Sequence, residues 1–410
     1  MRIGRTLPPA ATPLSFGEIL SGLRALFSGD RALERFEGEL REYYATPHVF
    51  LLSSGKAALT VILSALKETG AGRDEVVIPA YTCYSVAAAV TRAGLKVRPC
   101  DIDPRTLDYD WARLDEALAG GHVLCAVSTH IFGLPADVER LRERAVRRGV
   151  AVVEDAAQAM GGEARGRKLG TLGDVALFSL GRGKALSTVS GGVILTRSAT
   201  LGAAIDRITK ALPREGWCEG VAALSYALAL GALVRPGLFW LPKALPFLKL
   251  GETVYDPHFR MKRLGPFQAG LAVGWREKLA RLRASRLRNA SFLERAGLAP
   301  PPGEDALVNL IRYPVLVEDV ARRRHLIEKS EERGLGVGIA YPEAVTRIPE
   351  LQGSMASGRA PQAEQVAERI VSLPIHPYLT RDDLERIVAL FNEEIGTGGT
   401  LHPGEDGNGT

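Results

Sequence analysis

Apolar and polar positions along this chain switch between two periods. Short, nearly unbroken apolar runs, the pattern of strands buried on both faces, fall at His48–Leu52, Glu75–Pro79, Leu95–Cys100, Val123–Ser128, Val152–Asp155 and Asp174–Ser179. Between them apolar residues recur at helical spacing, from Gly55 to about Lys67, from Ala80 through Val90 and over Asp110–Leu118. Strand and helix alternating through short connections predict an α/β fold, a large domain with a mostly parallel sheet covered by helices. Two amphipathic helices precede it, Ser15–Phe27 and Asp30–Tyr44, with Ser15 and Asp30 in capping positions.

After Thr196 the pattern changes. Gly220–Val234, GVAALSYALALGALV, is strongly apolar, and Arg235-Pro236 cuts it before a second apolar stretch at Leu238–Leu248. Neither part reaches the roughly 20 apolar residues of a membrane span. The segment reads as a buried or dimer-interface helix, with an interfacial membrane contact through 220–248 as the alternative. A long helical stretch is predicted from Pro266 to about Ala296, and Pro300-Pro301-Pro302-Gly303 marks a boundary. Beyond it a strand at Val308–Val317, a helix at Val320–Arg333, a strand at Gly336–Ala340 and helices at Pro361–Val371 and Arg381–Glu394 predict a small C-terminal α+β domain. The expected division is residues 1–299 for the large domain, with an apolar insertion at about 215–250, then 300–395 for the small domain and a mobile Gly- and Thr-rich tail over 396–410.

Composition narrows the class without changing this picture. A chain of 410 residues, 46% apolar and 24% charged, suits a soluble globular protein with a large and a smaller core. Its net charge of +5 is too small an excess for a nucleic-acid binder and suits an anionic small molecule such as a nucleotide sugar. The basic runs around Arg142–Arg148, Arg276–Arg288 and Arg322–Arg324 are interleaved with Leu and Ala and read as solvated helix faces. Cys83, Cys100, Cys125 and Cys218 show neither metal-site spacing nor a disulfide framework, so a reducing cytoplasm is expected. The first residues, MRIGRTLPPAATPLSF, lack the apolar core of a secretory signal, and export is not expected.

Candidate chemistry concentrates in Val152–Thr196. Strand-like runs that end in Asp155 and Ser179 place both at the carboxyl edge of a sheet, where open α/β folds bind ligands, and Lys184 follows five residues after Ser179. An amine can condense with an aldehyde, a hydroxyl can hold a phosphate, and a carboxylate can keep a pyridine nitrogen protonated. At Ser53-Ser54-Gly55 a strand turns into a helix and leaves backbone N–H groups at its positive end, which suits a phosphate. A Walker-type P-loop is excluded, because Phe50 and Ala57 occupy positions where that motif needs Gly and Ser or Thr. Thr129-His130 closes another strand at the same edge, where His130 either lines the pocket or serves the fold.

Asp155-Ala-Ala-Gln158, Phe178-Ser179-x-x-x-x-Lys184 and the following Gly191-Gly192 together resemble the DegT/DnrJ/EryC1/StrS family of sugar aminotransferases, which are fold-type-I pyridoxal phosphate enzymes; the resemblance spans most of the chain. It implies pyridoxal 5'-phosphate as cofactor, with Lys184 linked to its aldehyde and later acting as general base. Asp155 would pair with the pyridinium nitrogen, Gln158 with the ring hydroxyl, and Ser179 with the Ser54-Gly55 turn would hold the phosphate. Where the family has Ser-Gly-Thr-Ala, this chain has Ser54-Gly55-Lys56-Ala57, so Lys56 stands where a hydroxyl is usual. The family's ring-stacking aromatic follows a Thr; here Cys83 follows Thr82 between Tyr81 and Tyr84, and Tyr84 is taken for the stacking role, the alternative being a half-buried tyrosine with a wet hydroxyl. His258-Phe-Arg260-Met261 matches an Asn-Tyr-Arg-Met-like motif with His258 in place of the Asn that reaches the neighbouring subunit's cofactor, which implies a homodimer with shared active sites.

The activity implied is transfer of an amino group from an amino acid, by resemblance glutamate, to a nucleotide-linked keto sugar in surface-polysaccharide or secondary-metabolite sugar biosynthesis. Two other readings stay open. One is a pyridoxal-phosphate-dependent sugar dehydratase on the same scaffold, although some dehydratases of the family carry His at the lysine position and this chain keeps Lys184. The other is a catalytically inert, cofactor-binding interaction protein docked at a membrane through residues 220–248.

Overall fold

In the computed structural model, which describes residues 3–70, 72–245, 253–298, 309–356 and 358–395, seven strands form one sheet. They are β1 (His48–Leu52), β2 (Glu75–Pro79), β3 (Lys96–Cys100), β4 (Val123–Thr129), β5 (Ala151–Asp155), β8 (Val175–Ser179) and β9 (Gly192–Thr196), with a small hairpin of β6 (Glu163–Ala164) and β7 (Arg167–Lys168) between β5 and β8. The order across the sheet is β1-β9-β8-β5-β4-β2-β3. All pairings from β8 through β3 are parallel, while β9 runs antiparallel to both β1 and β8. Every residue of β2 and β4 is buried, as expected of strands with helices on both faces.

Most predicted helices form within a residue or two of their expected bounds, while the one expected from Ala80 begins only at Tyr84 and runs to Arg92, and local chemistry accounts for several of the starts. Helix Phe16–Phe27 starts in a capping box, with the Ser15 hydroxyl accepting from the Glu18 amide at 3.2 Å and the Glu18 carboxylate accepting from the Ser15 amide at 2.6 Å. Asp30 precedes helix Arg31–Tyr44 without capping it; its own backbone is helical, and its carboxylate pairs instead with Arg214 at 2.9 Å. Helix Gly55–Thr69 has a central position, with Ala57, Ala58, Val61, Ile62, Leu63 and Ala65 almost fully buried, so it is shielded from water on most sides.

Five sequence expectations need correction. The stretch expected as one helix over Pro266–Ala296 is two, Pro266–Leu271 and Trp275–Arg295, because Gly274 adopts φ +67° between them. Gly336–Ala340 forms no strand; Gly336 sits at φ +72°, and pairing is limited to a single bridge between Gly338 and Ser372. The helix from Pro361 stops at Arg369, and Ile370–Leu373 becomes strand β11, paired antiparallel with β10 (Tyr313–Leu316); β-branched Ile370 and Val371 favour the extended form. Helix Trp217–Leu233 is not buried within the chain: among its residues only Gly220 and Ala227 are enclosed, while Trp217 is 53% and Leu228 50% exposed. The basic run Arg276–Arg288 is not simply a solvated face, because Arg286 and Lys278 are buried, Lys278 paired with Glu18 at 2.6 Å. Pro300–Gly303, Val308 and the tail 396–410 lie outside the described residues, and no described helix is long and apolar enough to cross a membrane.

The C-terminal elements comprise β10, β11 and helices Val320–Arg333, Pro361–Arg369 and Arg381–Ile395. One apolar core is continuous from Leu52 and Ile62 near the sheet to Tyr313, Leu326 and Leu390 in these elements. Polar ties reinforce it. Asp101, just past β3, accepts from the amides of Gln362 and Ala363 at 3.1 and 2.8 Å and so caps the N-terminus of helix Pro361–Arg369 from across the chain. The N-terminal segment makes similar long-range contacts, Arg5 with both Asp383 oxygens (3.0 and 2.5 Å), the Leu7 amide with the Gly334 carbonyl, and the Pro8 carbonyl with His376. Replacing Asp101 with Ala should cost about 1–2 kcal/mol, the usual worth of a cap at a helix start. Urea unfolding monitored by circular dichroism would show this as a lower midpoint at unchanged slope, and an unchanged midpoint would contradict it.

Candidate active site

Parallel strands bring their carboxyl ends to one edge, and the candidate residues collect there. Thr129 of β4 pairs in register with Asp155 of β5, and Asp155 in turn lies beside Leu177 of β8, two residues before Ser179. Asp155 is 5% exposed and accepts one hydrogen bond, from the Ala157 amide at 3.0 Å. Burial pushes its carboxyl above the usual aspartate range, opposed by the Ala157 amide and the charges of Lys184 and His130. A buried carboxyl with so few partners is suited to a cationic ring nitrogen.

His130 serves the fold. It is fully enclosed, with Nε2 2.9 Å from Glu154 and Nδ1 accepting from the Ala136 amide at 3.0 Å. Glu154 also accepts from the amides of Gly170, Leu172 and Gly173 at 2.5, 2.7 and 3.0 Å. Burial pushes the Glu154 carboxyl up, but the hydrogen bond and charge of His130 with the amides of Gly170 and Gly173 outweigh it and hold the group below the usual glutamate range.

Lys184 stands on the loop between β8 and β9, and backbone bonds fix that loop. The Leu180 amide donates to the Gly191 carbonyl at 2.8 Å and the Thr188 amide to the Leu180 carbonyl at 3.0 Å. The Lys184 carbonyl accepts from the Thr12 hydroxyl at 2.6 Å and from Arg286 Nη2 at 3.1 Å, while Arg286 Nη1 donates to the Ala185 carbonyl at 3.0 Å. Burial lowers the Lys184 ammonium from the usual lysine range, Cys83 and Asp155 oppose that, and Arg312 adds to it. An amine of lowered basicity is a better nucleophile at neutral pH.

The Ser54-Gly55 turn meets Ser179 directly. A Cβ on Gly55 would stand 2.8 Å from Ser179 Cβ and 3.1 Å from its hydroxyl oxygen, so glycine permits this approach. Gly192 is equally constrained, since a Cβ there would fall 2.2 Å from the Ser54 carbonyl oxygen. The Ser54 hydroxyl caps helix Gly55–Thr69 by accepting from the Ala57 amide at 3.1 Å, and a helix of this length presents its first free N–H groups beside Ser179. Lys56 at the same turn lies 3.7 Å from Asp256 and 4.4 Å above the Phe259 ring, so its charge is held next to the turn. His258 is exposed, with its amide bonded to the Asp256 carboxylate at 2.9 Å. It borders a cavity of about 510 Å³ lined also by Thr91, Tyr255 and Glu350, which does not include Lys184 or Asp155.

Gln158 is buried and donates to the Tyr341 hydroxyl at 3.0 Å. The Tyr84 hydroxyl accepts from the Glu343 amide at 3.1 Å, and it is Cys83 that lies electrostatically next to Lys184. Two threonines at this edge, Thr82 and Thr129, have enclosed hydroxyls with no hydrogen-bond partner. Unmet buried hydroxyls, an under-partnered carboxyl, a nucleophilic amine and an anion-binding turn fit a phosphorylated pyridine aldehyde. Sequence reading missed Thr12, Arg286 and Tyr341, which reach the site from more than a hundred residues away, and no local motif announces them.

A family model described as the DegT/DnrJ/EryC1/StrS aminotransferase family matches residues 19–216 and 259–392. The chain is 28% identical over 393 residues to the dTDP-3-amino-3,4,6-trideoxy-alpha-D-glucose transaminase of Streptomyces venezuelae, covering 94% of this chain and 92% of that one. It is 32% identical over 267 residues to the L-glutamine:2-deoxy-scyllo-inosose aminotransferase of Streptoalloteichus tenebrarius, covering 64% of this chain and 56% of that one. Among solved structures, S. venezuelae DesV in complex with a ketimine intermediate superimposes with a TM-score of 0.71 at 28% identity, covering 92% of this chain and 93% of that one.

The Glu154 network carries a pH signature. Because the folded carboxyl lies below the usual glutamate range, its contribution is complete above that range and is lost as pH falls through the lower, folded value. Glu154→Gln should cost about 3–5 kcal/mol at neutral pH by leaving a buried network broken. Thermal melts from neutral to acid pH would show the gap between variant and wild type narrowing as pH falls; a constant gap would assign the loss to packing alone.

Proposed function

This chain belongs to the DegT/DnrJ/EryC1/StrS aminotransferase family, and from that premise we propose that it is a pyridoxal-phosphate-dependent enzyme that moves an amino group from an amino acid, glutamate by preference, to a nucleotide-linked keto sugar. The observation that carries this reading is the convergence of Lys184, Asp155 and Ser179 at one sheet edge, with the Ser54-Gly55 turn packed against Ser179. Bound pyridoxal phosphate would supply an electron sink for the carbanion formed at the reacting carbon.

The chain's own residues have separable tasks. Asp155 would hold the ring nitrogen charged, and its enclosure would keep water from competing for that contact. Ser54, Gly55 and Ser179 receive the phosphate at the positive start of helix Gly55–Thr69, where the Lys56 charge adds attraction. Gln158, braced by Tyr341, hydrogen-bonds the ring hydroxyl. Lys184 would hold the aldehyde through its amine and would be the group that moves a proton at the reacting carbon, a task that its lowered basicity suits. Tyr84 is assigned to the wall of the ring site, with its hydroxyl tied to Glu343.

We also assign a homodimer, in which the exposed apolar side of helix Trp217–Leu233 is covered by a second copy and His258 faces the neighbouring site. The family match passes over residues 217–258, which supports reading this segment as an addition to the shared scaffold. Trp217→Asp should then shift the sedimentation profile toward monomer, and an unchanged dimer would remove this helix from the interface.

Borohydride reduction of reconstituted enzyme, followed by peptide mass mapping, should place the cofactor on the Lys184 peptide. Lys184→Ala should abolish that adduct and lower turnover by about 10²–10⁴-fold or more, the span of a lost general base. Incubation with glutamate should convert the aldehyde form of the cofactor to its amine form. An unmodified Lys184 peptide would overturn the cofactor assignment, and absence of conversion with every amino donor would overturn transamination in favour of dehydration.

A further inference from the structure

Besides Lys184, and Lys56 at the phosphate turn, the site holds a further cation. Arg312 immediately precedes β10, far from the lysine in sequence, yet a Cβ on Gly183 would stand 3.9 Å from its Nη2, so the guanidinium lies against the lysine loop. The Arg312 Nε is enclosed with no hydrogen-bond partner, and among the described residues no carboxylate pairs with the group. The groups that act on it are Tyr341, Cys83 and Tyr81, none of them a carboxylate, and burial lowers it from the usual arginine range. The Tyr81 hydroxyl, also enclosed there, has no hydrogen-bond partner either.

Arg286, also buried in this chain, has an unpartnered Nε as well, so the contrast with Arg312 lies in the two Nη atoms. It too lacks a carboxylate, but its guanidinium donates to two carbonyls and to Thr12, which clamps the lysine loop. Among the described residues Arg312 makes no comparable bonds: its Nε is enclosed while the side chain as a whole is partly open, so the Nη edge can meet a ligand. A guanidinium stays charged in a protein, and one held in a site without a counter-charge is an anion-binding group. The arrangement is therefore complete only when an anion arrives. The phosphate is already provided for at Ser54, Gly55 and Ser179, and the ring nitrogen at Asp155, so this anion belongs to another molecule, one that reaches the loop carrying Lys184.

We infer that Arg312, with the Tyr81 hydroxyl beside it, is the carboxylate-recognition element of this enzyme and binds the carboxylate of the α-amino-acid donor and of the 2-oxo acid it becomes. The inference rests on the aminotransferase reading and adds the specificity of the donor half-reaction to it. A planar fork of N–H donors matches a carboxylate in two parallel hydrogen bonds, which would set the donor's α-carbon at a fixed reach from the lysine. The keto-sugar acceptor offers no carboxylate at its reacting carbon, so the same contact would favour amino acids over simple amines.

The test compares wild type with Arg312→Met and Arg312→Lys, after confirming that each traps cofactor on the Lys184 peptide. In single-turnover measurements Arg312→Met should need about 100-fold or more glutamate for half-maximal rate, with Arg312→Lys between it and wild type, because a charge-assisted bidentate contact is lost. The acceptor half-reaction, started from the amine form of the cofactor, should change by less than about threefold. A primary amine without a carboxylate should react equally well with wild type and Arg312→Met. Independently of turnover, 2-oxoglutarate should raise the thermal midpoint of wild type and leave that of Arg312→Met unmoved. Undiminished use of glutamate by Arg312→Met, or a loss confined to the acceptor half-reaction, would overturn the assignment. If wild type itself trapped no cofactor, the broader reading would fall instead, and a persisting 2-oxoglutarate stabilisation that depends on Arg312 would still mark the carboxylate site.

Discussion

Strand β5 ends in two consecutive acids, and the alternation of side chains along a strand gives them different surroundings. Glu154 is met by His130 and three backbone amides, so its charge is compensated where it is buried. Asp155, one residue on, is enclosed with one amide as partner. The first acid fixes the glycine-rich connection between β5 and β8 and thereby the position of Ser179. The second is left with unmet electrostatic demand at the edge where parallel strands end. Compensated charge builds the frame, and uncompensated charge makes the binding site.

The same division recurs among the cations. Arg286 is spent on the carbonyls of Lys184 and Ala185, and Lys278 on Glu18, so both are structural despite their burial. Among the described residues the side-chain ends of Lys184 and Arg312 make no such hydrogen bond or ion pair, and burial lowers both groups from their usual ranges. Close backbone approach makes room for this arrangement. Gly55 against Ser179 and Gly192 against the Ser54 carbonyl let β1, β8 and β9 meet at a distance that any side chain would forbid.

The sequence made the sheet legible because apolar runs such as Val123–Ser128 are too continuous for a half-exposed strand and too short for a helix. It also made Asp155, Ser179 and Lys184 legible, since a strand's last residue and the turn after it are neighbours in space as well as in sequence. Arg286 was hidden by its company: in a run of Arg, Leu and Ala it cannot be told from its solvated neighbours, and only packing against the lysine loop distinguishes it. Tyr341 and Arg312 were hidden by distance, because residues that join a site through tertiary folding leave no periodic trace. Ile370 and Val371 read as the end of a helix because the preceding turns carry a strong helical pattern, and pairing of Ile370–Leu373 with β10 overrides that local preference.

The N-terminal segment has a consequence for the order in which the molecule can be completed. Arg5 contacts Asp383, the Leu7 amide and the Pro8 carbonyl engage Gly334 and His376, and Thr12 touches the lysine loop. Their partners lie from 172 to 378 positions further along, so during synthesis each contact must wait until that much more of the chain has been made. The loop that carries Lys184 is therefore clasped by Thr12 and Arg286 only after the segment bearing Arg286, a hundred residues further on, has been made.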